Sequence, residues 1–235
     1  MQNGVGTGVL LQVKEVTWVM KLPEGVPKEM VRFNTTFAEL EALKEIEARR
    51  LFLCGEIKSP GDDIDVCDDN STQISSLVHT IFQYNREDRG VPIAERRPIM
   101  LYINSPGGEL TEGFSLVAAI KLSQTPIYTV NIGMWCSMAF LIGITGSKRY
   151  TLPFMTFLMH EASGFSFGKI SNMEDKIKFD RKFSDTVVKP LVLEHSCMTD
   201  REYDLVVKNE LYLLPDDALK YGFVDEIVTD INTIL

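Results

Sequence analysis

Two near-continuous apolar runs, Ile99–Ile103 and Ile127–Ile132, limit the fold of this chain more than any other feature. Neither alternates with polar residues, so each reads as a strand buried on both faces. Between them, Thr111–Leu122 carries Phe114, Val117, Ala118 and Leu122 at helical spacing. Downstream come an apolar run that can be helical, Ser137–Thr145, and two extended pieces, Thr151-Leu152 and Met155–Met159. Upstream lie a short buried strand at Leu51–Leu53 and a helix at Asn70–Tyr84, with Ile74, Leu77, Val78, Ile81 and Phe82 inward. Buried strands alternating with helices imply βαβ units, a parallel sheet and right-handed crossovers. The expected fold class is therefore α/β.

In such sheets ligands gather at the carboxyl ends of the strands. Three features follow strand-like runs and so belong on that edge: the Gly107-Gly108 turn, Ser137 and His160. Ser137 stands between an apolar strand and an apolar helix, with its hydroxyl near a positive helix N-terminus. A nucleophile, a base and a glycine turn able to offer backbone N–H groups are the parts of a serine hydrolase. Taken alone, a serine at a helix start is usually a cap, and a histidine after a strand is usually structural. The two together, in order and with the glycine turn, reverse that reading. His79 and His195 have no such setting and are read as structural.

Composition narrows the classes further. A chain of 235 residues, 45% of them apolar, can bury a sizeable core in one domain with an appendage. A net charge of −9 argues against nucleic acid as the main partner. No apolar run approaches the roughly 20 residues of a membrane span, and Met1–Gln12 lacks the basic start and apolar core of a signal peptide. Cys54, Cys67, Cys136 and Cys197 show neither CxxC nor Cys/His spacing, so they read as reduced, with no metal site. The expected setting is cytoplasmic, or another reducing compartment. Gly55–Asp69 holds Glu56, Asp62, Asp63, Asp65, Asp68 and Asp69 without calcium-loop spacing, and reads as a solvated loop. Asn85–Arg97 reads as a polar surface insertion.

The expected division of the chain is at 48/49. Residues 1–48 offer two short strands, Val9–Val13 and Val16–Met20, helix breakers at Pro23, Gly25 and Pro27, and a helix Phe37–Arg49 capped by Asn34-Thr35-Thr36. A packing segment and an axial or docking element are both open readings. Residues 49–235 form the main domain. Late in it, Asn172–Cys197 reads as one long amphipathic helix, whose apolar stripe must bury somewhere, for example against another subunit. A short helix Arg201–Asn209, an extended Glu210–Leu214, a helix Pro215–Tyr221 and a closing Val224–Val228 complete the domain.

Five strings, in order over about Arg49 to Val228, resemble the ClpP family of self-compartmentalised serine peptidases. They are Arg50-Leu51-Phe52-Leu53 with Gly55; Tyr102 to Gly108; Cys136-Ser137-Met138; Lys148 to Pro153 leading to Met159-His160; and Leu213–Asp225. The resemblance implies a spiral of βαβ units with a projecting handle helix. It implies Ser137 as nucleophile, His160 as general base and then acid, and the backbone N–H groups of Gly108 and Met138 as the oxyanion hole. It makes Gly164, Phe165, Ser166 and Phe167 part of a segment that pairs with extended substrate. It makes the helix Asn172–Cys197 the handle through which two rings meet.

The same resemblance implies polypeptide substrates, self-assembly into heptameric rings stacked in pairs, and no metal or organic cofactor. ATP would be used only by a partner AAA+ unfoldase; a related ClpP-type subunit is a second possible partner. The sequence departs from the pattern at the third triad position, where Asn209 stands for an aspartate. An asparagine oxygen accepts from the imidazole Nδ1–H but brings no full charge, and this exchange costs about 10⁴ in rate in a well-studied serine protease. Ala139 also replaces an expected glycine, and residues 1–48 match no axial loop. Hence the competing expectation is a catalytically weak subunit with a structural or regulatory role in a mixed ring. An acyl-CoA enzyme on the related crotonase-type spiral is the remaining one, and it would leave Ser137 and His160 without a role.

Overall fold

Side chains along a strand alternate between the faces of its sheet, and β4 (Ile99–Ser105) divides the core accordingly. In the computed structural model, which describes residues 9–13, 16–20, 44–59, 74–162 and 169–235, Leu101 and Ile103 join the helix-covered face and Tyr102 the other. The chain divides into two compact units, Met1–Ala48 and Arg49–Leu235. In the first, β1 (Val9–Val13) and β2 (Val16–Met20) pair antiparallel, Val13 opposite Val16, and residues 44–47 are helical. The rest of the expected helix Phe37–Arg49 lies outside the described residues.

The second unit is built on a seven-stranded sheet. β3 (Arg50–Cys54), β4, β5 (Ile127–Cys136), β6 (Lys148–Thr151) and β9 (Glu226–Ile227) run parallel in that order. This bears out the mixed α/β expectation with a mostly parallel sheet. β7 (Thr156–Met159) joins β5 in parallel, and β8 (Leu211–Leu213) joins β7 antiparallel. α1 (Ile74–Glu87) and α2 (Leu110–Leu122) cover one face, with Leu77, Ile81, Leu116 and Val117 buried. α3 (Met138–Ile144) is buried along all seven residues, as a helix apolar all round must be. Each of its large apolar side chains contributes about 1.5–3 kcal/mol by burial. The second face buries Tyr102, Val130, Tyr150 and Val228 beneath a 3₁₀ turn, Ile231–Ile234.

β5 runs four residues beyond the expected Ile132. It changes neighbours on the way: Tyr128–Asn131 lies beside β6, and Met134–Cys136 beside β7. Asn131, fully buried, bridges the change by donating to Thr156 O while its Oδ1 accepts from Gly133 N. A buried asparagine that satisfies backbone groups continues a strand where its polarity suggests an end.

The region 85–97 is not simply a polar surface insertion. Asp88 is only 6% exposed and receives both Nη atoms of Arg49 at 2.7 Å and Thr125 Oγ1 at 2.6 Å. Those bonds hold its carboxyl down to about 2. They tie the end of α1 to the start of β3 and the loop before β5. At the other end of the domain, Arg149 forks onto Asp225 and donates to His195 O and Gly222 O, clamping the closing segment.

The long helix also differs from expectation. It comprises α4 (Ile170–Phe183), a π-helical stretch Ser184–Val188 and α5 (Lys189–Glu194). Pro190 has no N–H for the carbonyl four residues back and crowds it, and the widened turn ahead of it accommodates the ring. No residue of α4 is buried, and Ile170, Ile177 and Phe179 are exposed. α6 (Asp200–Val206), held by a Thr199–Glu202 capping box, and α7 (Pro215–Lys220) flank β8. No helix among the described residues is long and apolar enough to cross a membrane. The segment Gly164, Phe165, Ser166 and Phe167, residues 60–69 of the acidic loop and residues 70–73 of the expected helix lie outside the described residues.

Candidate active site

The carboxyl ends of β4, β5 and β7 bring three pieces of chain together. β5 ends at Cys136 opposite Leu158, and Ser137 N donates to Leu158 O at 2.9 Å. Ser137 is thereby locked beside the end of β7, one residue short of His160. Its backbone adopts φ 54° and ψ −123°. A left-handed φ in a residue with a side chain costs on the order of 1–3 kcal/mol and persists only where the surroundings enforce it. Here the enforcement is a strand-to-helix corner whose helix is wholly buried.

The glycine turn closes on this corner from β4. Gly107 (φ 96°) approaches so closely that a Cβ there would lie 2.6 Å from Cys136 O, 2.7 Å from Ser137 Cβ and 2.9 Å from Met138 N. A Cβ on Gly108 (φ 138°) would lie 2.1 Å from Ile57 O. Only residues without a Cβ fit either place. Ile57 N donates to Gly107 O, and Glu109 N to Ile57 O, both at 2.8 Å, while Gly107 N donates to Ser105 Oγ. Gly108 N has no backbone acceptor among the described residues. Met138 N, at the first helical position, has no intrahelical acceptor either. Among the described residues both main-chain donors therefore lack a backbone acceptor. The Met138 side chain is pinned against Gly113 of α2, where a Cβ would lie 2.1 Å from its Cγ.

Ser137 and His160 line one cleft of about 610 Å³ with the 56–59 loop, the 106–110 turn and Ala162. Among the described residues no hydrogen bond joins them, and the Ser137 side chain caps nothing. The His160 ring meets main chain instead: Nδ1 lies 2.6 Å from Glu161 O. Glu161 N in turn donates to Val207 O at 3.0 Å. The β7–β8 pairing ends with Met159 opposite Leu211, and beyond it the Glu161 bond reaches back to Val207. The Asn209 carboxamide is exposed and donates to Leu205 O, four residues back. Glu210 accepts from Tyr212 OH, and Asp204 pairs with Lys189. No side chain from this segment meets the imidazole.

The glycine turn, Ser137 and His160, expected on one sheet edge, line one cleft. The Glu161 carbonyl beside the ring has no counterpart in the sequence reading, because main-chain acceptors leave no mark on residue identity. Burial pushes the Cys136 thiol up, as it does Cys54. His79 is exposed, and the half-buried His195 keeps Nε2 without a partner. A second cleft of about 420 Å³, with Arg86, Arg89 and Arg96 on its wall, lies at the far ends of α1 and α2 and contains neither Ser137 nor His160.

Comparison with known proteins shows the family of this chain. Residues 91–230 match the family model of the Clp protease. Proteolytic subunit 2 of the ATP-dependent Clp protease of Thermobifida fusca is 30% identical over 211 residues, which covers 87% of this chain and 96% of that one. The corresponding subunit of Dehalococcoides mccartyi is 30% identical over 158 residues, 66% of this chain and 76% of its own. That of Deinococcus radiodurans is 28% identical over 132 residues, 55% and 64% respectively. The matched region carries the glycine turn, the serine corner and the histidine strand alike, and the chain belongs to the Clp protease family.

Proposed function

We propose that this chain is a serine endopeptidase of the ClpP type, cleaving unfolded proteins or peptides inside a ring-shaped chamber. The observation that carries the reading is the strained Ser137 at a buried strand-to-helix corner, in one cleft with His160 and with Gly108, whose N–H, like that of Met138, has no backbone acceptor among the described residues. Ser137 Oγ attacks the scissile carbonyl as His160 Nε2 takes its proton; His160 then gives that proton to the leaving amine. The N–H groups of Gly108 and Met138 hold the developing oxyanion, for which a preorganised donor pair is well suited. The Asn209 carboxamide donates through its nitrogen to Leu205 O, and it would complete a triad by turning its oxygen to the imidazole. Residues 164–167 would pair with extended substrate, and the exposed apolar side chains of α4 would bury against a second copy on ring assembly and stacking. An AAA+ unfoldase or a related subunit would be the partner that delivers substrate.

A serine-directed fluorophosphonate labels Ser137, and Ser137→Ala abolishes both labelling and peptide cleavage, a loss on the order of 10⁶ in kcat. Brisk cleavage by the alanine variant would remove Ser137 from the mechanism. One observation favours the weak-subunit alternative: among the described residues no carboxylate bonds to the His160 ring. Efficient cleavage by the purified chain alone rules that alternative out.

A further inference from the structure

We infer that the main-chain carbonyl of Glu161, rather than a side chain from residues 206–210, orients the His160 imidazole and fixes its tautomer; this rests on the peptidase reading of the same site. A carbonyl oxygen has lone pairs and no proton, so at 2.6 Å it can only accept. The neutral ring facing it therefore carries its proton on Nδ1, and Nε2 keeps the lone pair that a general base needs. Three side chains stand near enough in the chain to have taken this part. Asn209 is turned back onto Leu205 O, Glu210 onto Tyr212 OH and Asp204 onto Lys189.

The residue that supplies the carbonyl is tied down at its amide. Glu161 N donates to Val207 O, and Val207 N closes α6 on Tyr203 O, so residue 161 is bonded to the end of a capped helix. A carbonyl fixes ring orientation and tautomer as an aspartate does, without the full charge that steadies an imidazolium. It also has no protonation step of its own. The chemistry thus makes Glu161 a positioning residue acting through its main chain, and it makes the identity of residue 209 nearly irrelevant to the ring.

The test uses the full chain with ¹⁵N-labelled histidine, at a pH where the imidazoles are neutral. There are three histidines, and His79→Gln and His195→Gln leave the His160 signals alone. The expected spectrum shows His160 protonated on Nδ1, with Asn209→Ala leaving that pattern intact and changing kcat/KM less than threefold. Replacing the 161–162 amide by an ester weakens the acceptor and removes an N–H of Ala162 that bonds to nothing among the described residues. It should bring an Nε2-protonated fraction into the spectrum and lower kcat several-fold with KM unchanged. An Nε2-protonated ring in the unmodified protein overturns the inference. So does a tenfold or greater loss in Asn209→Ala accompanied by a change of tautomer. Failure of fluorophosphonate to label Ser137 would instead overturn the peptidase reading, and the spectrum would still decide which atom orients the ring.

Discussion

The two sides of the cleft are built by different means. The serine side is made of main chain wedged between buried elements: a strained residue, a helix buried along its length and two glycines that touch backbone. The histidine side is made of a four-residue strand, a three-residue strand and single hydrogen bonds, with exposed side chains at Asn209, Glu210 and Tyr212. Interiors packed at crystal density transmit a small displacement, whereas exposed segments absorb it. The serine side should therefore fail steeply when touched and the histidine side gradually.

Gly107→Ala breaks this contrast most severely. The new Cβ would meet the Cys136 carbonyl at 2.6 Å and the Met138 nitrogen at 2.9 Å, and neither is a side-chain tip that can swing away. The φ of 96° adds a strain of about 1 kcal/mol or more for an L side chain. We expect destabilisation of about 3 kcal/mol, read by chemical denaturation, and a loss of Ser137 labelling of about a hundredfold or more. Labelling at the normal rate would show that the corner tolerates movement.

Gly113→Ala sharpens the contrast at one remove. Its Cβ would press on Met138 Cγ at 2.1 Å, a flexible side chain rather than backbone. Methionine can repack, so the cost falls to about 1–2 kcal/mol. Met138 N is a candidate oxyanion donor, and a shift of its residue should lower kcat about tenfold with little change in KM. An equal change in kcat and KM would place the damage in substrate binding.

The same contrast explains what could be read from the chain beforehand. Continuous apolar runs announced β4, β5 and α3, because burial on all sides leaves no polar positions. The glycine turn on the serine side was visible for a related reason: paired glycines at a strand end mark backbone that must approach its neighbours closely. Yet the left-handed φ of Ser137 was invisible, since serine is not a residue that advertises it. On the histidine side residue identity misled. Asn209 looked like the partner of His160, whereas the ring faces a carbonyl that any residue at 161 would supply. Asp88 misled as well: a charge within a polar stretch reads as solvated until its partner Arg49, distant in sequence, is known. The π-helical stretch before Pro190 was missed as well, because the apolar stripe reads as one continuous helix.

The smallest effect leaves both sides of the cleft alone. Asp88 lies beyond the amino ends of the strands, and its carboxyl is held at about 2, first by the Arg49 hydrogen bonds against the cost of burial and then by Thr125. A carboxyl with a depressed native pKa contributes stability that is fully present above its unfolded value of about 3.9 and is lost as pH falls toward the native one. Between about pH 4 and pH 2 the wild-type chain should lose about 1–2 kcal/mol that Asp88→Asn never had. At neutral pH the variant should be less stable by a similar amount, because Arg49 loses the nearer of its two ionic partners and keeps only Glu87. Ser137 labelling of the folded variant at neutral pH should match the wild type, since the serine corner is set by apolar burial and close backbone contact, neither of which titrates. A parallel fall in labelling would mean that the far end of the sheet controls the corner, and the steep failure expected of the serine side would then belong to the whole domain.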